Sequence, residues 1–463
     1  MKKFLHFTFL VFLMLVFTAT VFANAEITVS VWSWDVDNYK KIAEEFNKYY
    51  PNIDINIVAN EPDVNGYLTA KVAARQALPD VVAQSWDPLS YPVSQGWVYP
   101  LNEFLEDDPY IDYVPESVRE AFVYRDKVYA LGERLHFEAI VLNLDLLEKL
   151  NLPKPKYEWT VNEFKNYLRR ATTREYSGIN QLWEFDTFMA AVLSDKTTFW
   201  SFDPEKKEFD LVNGGWIPAI TLQKELKSIP GLVSDDLINE ELRNEGQLDD
   251  YQKKFGQDAD AFRESKVLAG FEATYDWSWV KTLPWNFDYY PVPHDPEIGM
   301  RIPVHINYTF VTSTTKHPKE AYLFARFISF DPRGVIARLN LYKEEENGRL
   351  IDFFVPATMH PDVLAHFEEM KIPDGVKYML NNLDKTVRID MWKTVPGWFE
   401  VIWDIIFPVN EKIRSGAAQP QAVAAETQEK ANNLLKEKLK VFEAKLIKAE
   451  ESFLKIRKKV DRE

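Results

Sequence analysis

Just past three predicted strand ends an aromatic ring stands beside a carboxylate: Trp34 with Asp35, Trp86 with Asp87, and Tyr275 and Trp277 around Asp276. A ring offers a flat apolar face, and a carboxylate accepts from two neighbouring hydroxyls at once. Such pairs suit a solute stacked on one face and bridged at its edge. Asp63 could bridge hydroxyls in the same way. Plainer readings stand beside this one, because acidic loop residues commonly face water and tryptophans commonly fill cores. Catalysis has less support. With 71 acidic side chains, carboxylate pairs arise by chance, and no G-x-S-x-G, H-E-x-x-H, Walker or G-x-G-x-x-G string occurs. Seven histidines, no cysteine and no Asp-x-Asp-x-Asp-Gly loop leave no metal-ligand spacing, so neither a metal nor a cofactor is expected.

The elements around these residues give them their position. Ile27-Thr-Val-Ser-Val-Trp32 alternates as a buried strand does, and Ile42, Ala43, Phe46 and Tyr50 recur at helical spacing before Pro51. A strand at 53–58, a helix through 67–77 and a strand at 80–83 follow. The order βαβαβ predicts a parallel sheet covered on both faces, with ligands beyond the carboxyl ends of its strands. Ser33-Trp-Asp35, Asn60-Glu-Pro-Asp63 and Ser85-Trp-Asp87 then share one rim. Further on, 137–143 reads as a strand, and Thr160-Val-Asn-Glu163 is a capping box opening a helix with Phe164, Leu168 and Ala171. Val267 to Phe271 reads as a strand that leads to Tyr275-Asp-Trp277. In a strand at 304–312, His305, Asn307 and Thr309 face one side, either cleft or core.

Met1-Lys-Lys3, an apolar run from Phe4 to Phe17 and Ala23-Asn-Ala25 make a signal peptide, with cleavage expected after Ala25. The run is too short for the roughly 20 residues of a spanning helix. No cysteine follows it, so a lipoprotein anchor is not expected and a periplasmic location is. Removing the leader takes away two lysines and no acidic residue, leaving 53 basic against 71 acidic side chains and a formal charge of −18. That charge disfavours nucleic acid and anionic membrane as partners. The 438 residues left of 463 favour two or more domains. From Gln419 to Glu463 there is no glycine, and Leu435, Leu439, Phe442, Leu446, Ala449, Phe453, Ile456 and Val460 alternate by four and three. That register suits either a coiled-coil seam, and hence a tail-mediated oligomer, or a long helix packed on its own domain.

Taken in order, Ile27-Thr-Val-Ser-Val-Trp-Ser-Trp34, Tyr39-Lys-Lys-Ile-Ala-Glu-Glu-Phe46, Tyr50-Pro-Asn-Ile53 and Leu78-Pro-Asp-Val-Val-Ala83 resemble the maltose-binding-protein-like receptors of ATP-driven importers. Val128-Tyr-Ala-Leu-Gly132 with Glu138-Ala-Ile-Val-Leu-Asn143, and Lys316-His-Pro-Lys-Glu-Ala-Tyr-Leu-Phe-Ala-Arg-Phe327, carry the resemblance onward, and it covers the mature chain to about Lys436. It implies the two-lobed periplasmic binding protein fold of class II type, with two discontinuous α/β domains, a hinge and an interlobe cleft. The first lobe would be 26–137 and 303–342, the second 138–302 and 343–436, with a helical tail at 437–463. It also implies that Trp34 and Asp35 touch ligand, that Arg134 and His136 lie in the cleft at the first crossing, and that Glu184 faces the cleft. Trp398, in Val395-Pro-Gly-Trp-Phe-Glu400, matches the family's stacking aromatic. Bulky Val304-His-Ile-Asn-Tyr308 departs from the glycines common at the second crossing.

The expected function is that of an extracytoplasmic receptor, not an enzyme, which holds a mono- or oligosaccharide by stacking and hydrogen bonds and delivers it to the permease subunits of an ABC transporter. The alternative is a receptor for a polyol, polyamine or peptide. A glycosidase and a surface adhesin are the readings from other classes.

Overall fold

The computed structural model describes residues 24–182, 184–235, 246, 248–343, 354–460 and 462. The expected leader lies outside them except for Asn24 and Ala25. Strand β1 (Ala25–Trp32) buries Ile27, Val29 and Val31 completely. It pairs in parallel with β2 (Ile53–Asn60) and with β3 (Val81–Ser85). Parallel neighbours need crossovers, and α1 (Val36–Asn47) and α2 (Val64–Ala73) provide them. Helix α1 turns Tyr39, Ile42, Ala43 and Phe46 inward. It ends at Asn47, three residues short of the expected Tyr50, whose ring still stacks on Phe46 at 4.6 Å.

The long strand β4 (Leu131–Asn143) is buried from end to end. From the sequence, only 137–143 of it reads as strand, with Arg134 and His136 placed at the first crossing by resemblance. Glu133 and Arg134 are buried with charged and hydrogen-bonding partners. Glu133 accepts from the Gln84 backbone N–H at 2.7 Å and pairs with Arg338 at 3.2 Å, and Arg134 lies 3.4 Å from Asp35. In the second half of the chain, α3 (Val161–Ala171) carries the expected capping box, with the Glu163 N–H on Thr160 Oγ1 at 3.2 Å and the Thr160 N–H on Glu163 Oε2 at 2.7 Å. Strand β5 (Ser177–Ile179), helix α4 (Phe185–Val192), and strands β6 (Val267–Ala273), β7 (Phe287–Pro291) and β8 (Ile302–Val311) follow. Helix α5 (Pro318–Ser329) has Pro318 in its first turn, and β9 is Thr386–Arg388.

The strand order is β2-β1-β3-β8-β4-β6-β5, with β7 also on β4 and β9 on β8. Strand β4 changes partners midway. Leu131 to Phe137 pair antiparallel with β8, whereas Glu138 to Asn143 pair with β6 and β7. Two apolar cores lie about this seam. One gathers Val29, Phe46, Val82, Phe137, Phe310 and Phe324, and the other Ile140, Phe164, Ile179, Phe185 and Phe271. The chain is therefore a two-lobed α/β fold whose lobes share β4.

The tail belongs to one helix, α6 (Pro420–Val460), 41 residues long. Leu435, Phe442, Leu446 and Ala449 of the expected seam are buried against the chain itself. Among the described residues no helix is long and apolar enough to cross a membrane.

Candidate functional site

The three rim loops converge as their positions after β1, β2 and β3 require. The Trp34 ring lies 5.1 Å from Trp32, and the Trp86 ring meets Trp32 edge-on at 6.5 Å. The Trp86 indole N–H donates to the Pro62 carbonyl at 3.1 Å, which ties the third loop to the second. Trp34 and Trp86 are 48% and 49% exposed, so each keeps a ring face available for stacking. The acidic neighbours are otherwise engaged. Asp63 caps α2 by accepting from the Gly66 N–H at 2.8 Å, and Asp87 accepts from the Asn65 N–H at 2.9 Å. Asp35 is buried between Arg134, the Gln84 side chain at 2.5 Å and the Asn38 side chain at 2.7 Å. All three carboxylates brace the rim.

The floor lies where β4 and β8 cross. Arg134, His136 and Glu138 alternate along one face of β4, and their register brings His305 opposite His136 and Asn307 opposite Arg134. Within β8, His305 and Asn307 are the two residues that stay partly exposed, while Thr309 is buried and donates to the Val82 carbonyl at 2.9 Å. The face that the sequence left open is thus cleft at 305 and 307 and core at 309. His305 Nε2 lies 2.7 Å from Glu138 Oε1, and the Tyr275 hydroxyl donates to the same oxygen at 3.4 Å. His136 is 6% exposed, with its ring 5.7 Å from Tyr275. Burial, with Arg134 and His305 adding to it, holds the His136 imidazole well below its usual pKa, so it is neutral.

Two predicted rings are elsewhere. Trp277 is 9% exposed and packs with Phe287 and Tyr289, and Trp398 is 3% exposed among Phe199, Phe202 and Phe209. Both fill cores. Besides Tyr275, a ring not singled out in the sequence reaches the floor: Trp392, partly exposed and 5.7 Å from His305. Its neighbour Lys393 fixes the segment beneath the cleft. The Lys393 ammonium donates to the Ile306 carbonyl at 2.9 Å and to Asn307 Oδ1 at 3.2 Å, and it pairs with Asp390 at 2.9 Å. Glu138 was not singled out in the sequence, although period two from Arg134 and His136 would have reached it. Nothing local in Asp390-Met-Trp-Lys393 marked Trp392 or Lys393, because their importance comes from β8, far away in sequence.

The wall beyond the seam is acidic. Glu184 stands at the start of α4 with left-handed φ of 58°. Burial raises its carboxyl to about 7, with Arg414 opposing and Asp186 and Glu138 adding. Burial likewise raises Glu272 to about 8, aided by Asp276 and Glu138, and Asp276 to about 6 against the Ala273 N–H that it accepts from. A carboxyl whose folded pKa is raised binds protons that the unfolded chain has released. Its favourable share is therefore complete below about 4.5 and is lost as pH climbs to the raised value. The protein without solute is expected to melt at progressively lower temperature from pH 5 to pH 8, and Glu184→Gln should flatten that slope. Calorimetric melting across this range checks both.

A two-lobed chain with stacking rings on one wall, carboxyls on the other and a polar floor built from shared strands is a cleft-binding protein. Residues 17–331 match the family model described as bacterial extracellular solute-binding protein. The chain belongs to that family, whose members are exported binding proteins. Solved structures share its fold. The sugar-binding protein MalE from Xanthomonas citri aligns with a TM-score of 0.68 at 12% identity, covering 90% of this chain and 99% of that one. A sugar transporter from Rhizobium etli in an open conformation gives 0.65 at 16% identity, covering 89% and 99%. An ABC substrate-binding protein from Listeria monocytogenes in complex with cycloalternan gives 0.62 at 18% identity, covering 89% and 98%.

Proposed function

We propose that the protein is a periplasmic sugar receptor which hands a mono- or oligosaccharide to the permease of an ABC importer and performs no chemistry on it. The observation that carries this reading is the pairing of half-exposed indoles, Trp34 and Trp86, with the floor of His136, Glu138, His305 and Asn307. Rings stack on the apolar face of a pyranose, and the floor groups donate to and accept from its hydroxyls. The sugar names of the MalE and Rhizobium etli neighbours agree with it. The lobes divide at 137/138, 302/303 and 342/343, with the tail from 437. The leader ends at Ala25 and no lipid is attached. In this reading Trp34, Trp86, Tyr275 and Trp392 contact solute with the floor residues and Glu184, while Asp35, Asp63, Asp87 and Arg134 position them.

A second reading has its own observation. The carboxyls of Glu184, Glu272 and Asp276 suit a solute carrying an amine, such as a polyamine. Titrating a panel of neutral sugars, amino sugars and polyamines while following tryptophan emission and melting temperature separates the two. Saturable responses to neutral sugars support the first reading. Responses to amines alone would replace it with the second.

A further inference from the structure

The helical run after Gly397 carries rings that the cleft floor leaves unused. It consists of Trp398–Val401, a wider turn at Ile402–Ile406 and Phe407–Arg414. Val401, Ile402, Ile406 and Ile413 enter the second core, which turns one side of the run inward. Glu400 turns toward α6, where the Lys438 ammonium donates to it at 2.8 Å. Phe399 faces the floor instead, with its ring 6.4 Å from Trp392. Trp403 stands four residues beyond Phe399, and residues four apart share one side of a helix. The turn that carries Trp403 closes i→i+5 hydrogen bonds, a rare geometry that recurs at functional sites.

Both rings are left bare. Phe399 is 45% and Trp403 49% exposed, as open as the rim indoles Trp34 and Trp86. Phe407 meets the Trp403 ring edge-on at 4.8 Å, so the indole is held in place without being covered. Trp392, Phe399 and Trp403 thus form a row that starts beside His305 and continues along the second lobe, each ring more exposed than the one before. A row of separate rings suits a chain of sugar units better than a single one. One helical turn advances about 5.4 Å, comparable to the length of a pyranose unit, so successive units meet successive ring faces. Glu400 and Asp404 alternate with the rings, and charge of this kind is depleted at the centre of a protein interface.

We propose that Phe399 and Trp403 form an outer track on which the far units of an oligosaccharide stack while its first units occupy the cleft. The track rests on the sugar reading and narrows it from a saccharide of any size to a chain. Starch-, cellulose- and mannan-derived oligosaccharides, each from disaccharide to hexasaccharide, are the probes, titrated calorimetrically into the full-length protein. Affinity should rise with chain length. Phe399→Ala and Trp403→Ala should each lose about tenfold for the hexasaccharide and nothing for the disaccharide, at unchanged melting temperature. Trp403→Phe keeps a ring face and should keep most of the affinity. Fluorotryptophan labelling reads the contact directly: the fluorine signal that Trp403→Phe lacks should shift with hexasaccharide and not with disaccharide. Equal affinity at all lengths, a length dependence that both alanine variants retain, or a Trp403 signal unmoved by hexasaccharide would overturn the track and leave the sugar reading standing. A protein that answers to no saccharide, in these series or in the panel above, would overturn both.

Discussion

Trp392→Ala is expected to weaken solute binding roughly 30-fold, a loss of about 2 kcal/mol. The indole stands at the floor with His305 at 5.7 Å and Phe199 and Phe399 beyond it, and it remains partly exposed. On the sugar-receptor reading proposed above, its loss removes an apolar face beside the polar floor. Because Lys393 and not Trp392 carries the buried hydrogen bonds of the segment, the fold should survive the change. Titration calorimetry with whichever solute the panel identifies checks the affinity, and a melting curve checks the fold. Unchanged affinity would remove Trp392 from the site.

Lys393→Met is expected to cost stability, on the order of 3–5 kcal/mol. Lys393 and Asp390 are buried, with side chains 2% and 0% exposed, and the pair is tied to β8 by the Ile306 carbonyl and by the Ile306 N–H, which donates to Asp390 at 2.7 Å. Burial alone would raise the Asp390 carboxyl, but Lys393 and Arg388 beside it outweigh burial and hold it far below the usual carboxylate range. A depressed folded pKa contributes stability that is present above the ordinary carboxylate value and is lost only as pH falls through the depressed one. Urea unfolding of Lys393→Met at neutral pH should therefore show the full loss. Lys393→Met with Asp390→Asn should lose at least as much as Lys393→Met alone, since the buried Arg388, 2.5 Å from Asp390, then loses its carboxylate partner as well. A single variant as stable as the parent would show that the pair does not brace the crossing.

Much of the scaffold was legible locally. The alternation of Ile27, Val29 and Val31, the helical spacing of Ile42 and Phe46 and the Thr160–Glu163 capping box each fix their element by short-range sterics and hydrogen bonds. The rim was legible for the same reason, since Trp34 and Trp86 follow strands whose direction sets where their loops open. The first half of β4 was not, because Glu133 and Arg134 look solvated until Gln84, Arg338 and Asp35 are brought to them. Trp398 was misplaced for a related reason: a glycine and an aromatic before a helix say nothing of whether Phe199, Phe202 and Phe209 will enclose the ring.

The sequence alone determined what depends on near neighbours: a leader-like amino terminus, the parallel β1 to β3 unit, the aromatic rim and the register of the long tail. Tertiary structure decided what depends on distant partners. It brought His305 beside Glu138, set Lys393 under Asn307 and laid α6 across both lobes. The division follows from physics. Strand and helix periodicity act over a few residues, whereas desolvation and charge pairing are felt only once the chain has closed on itself.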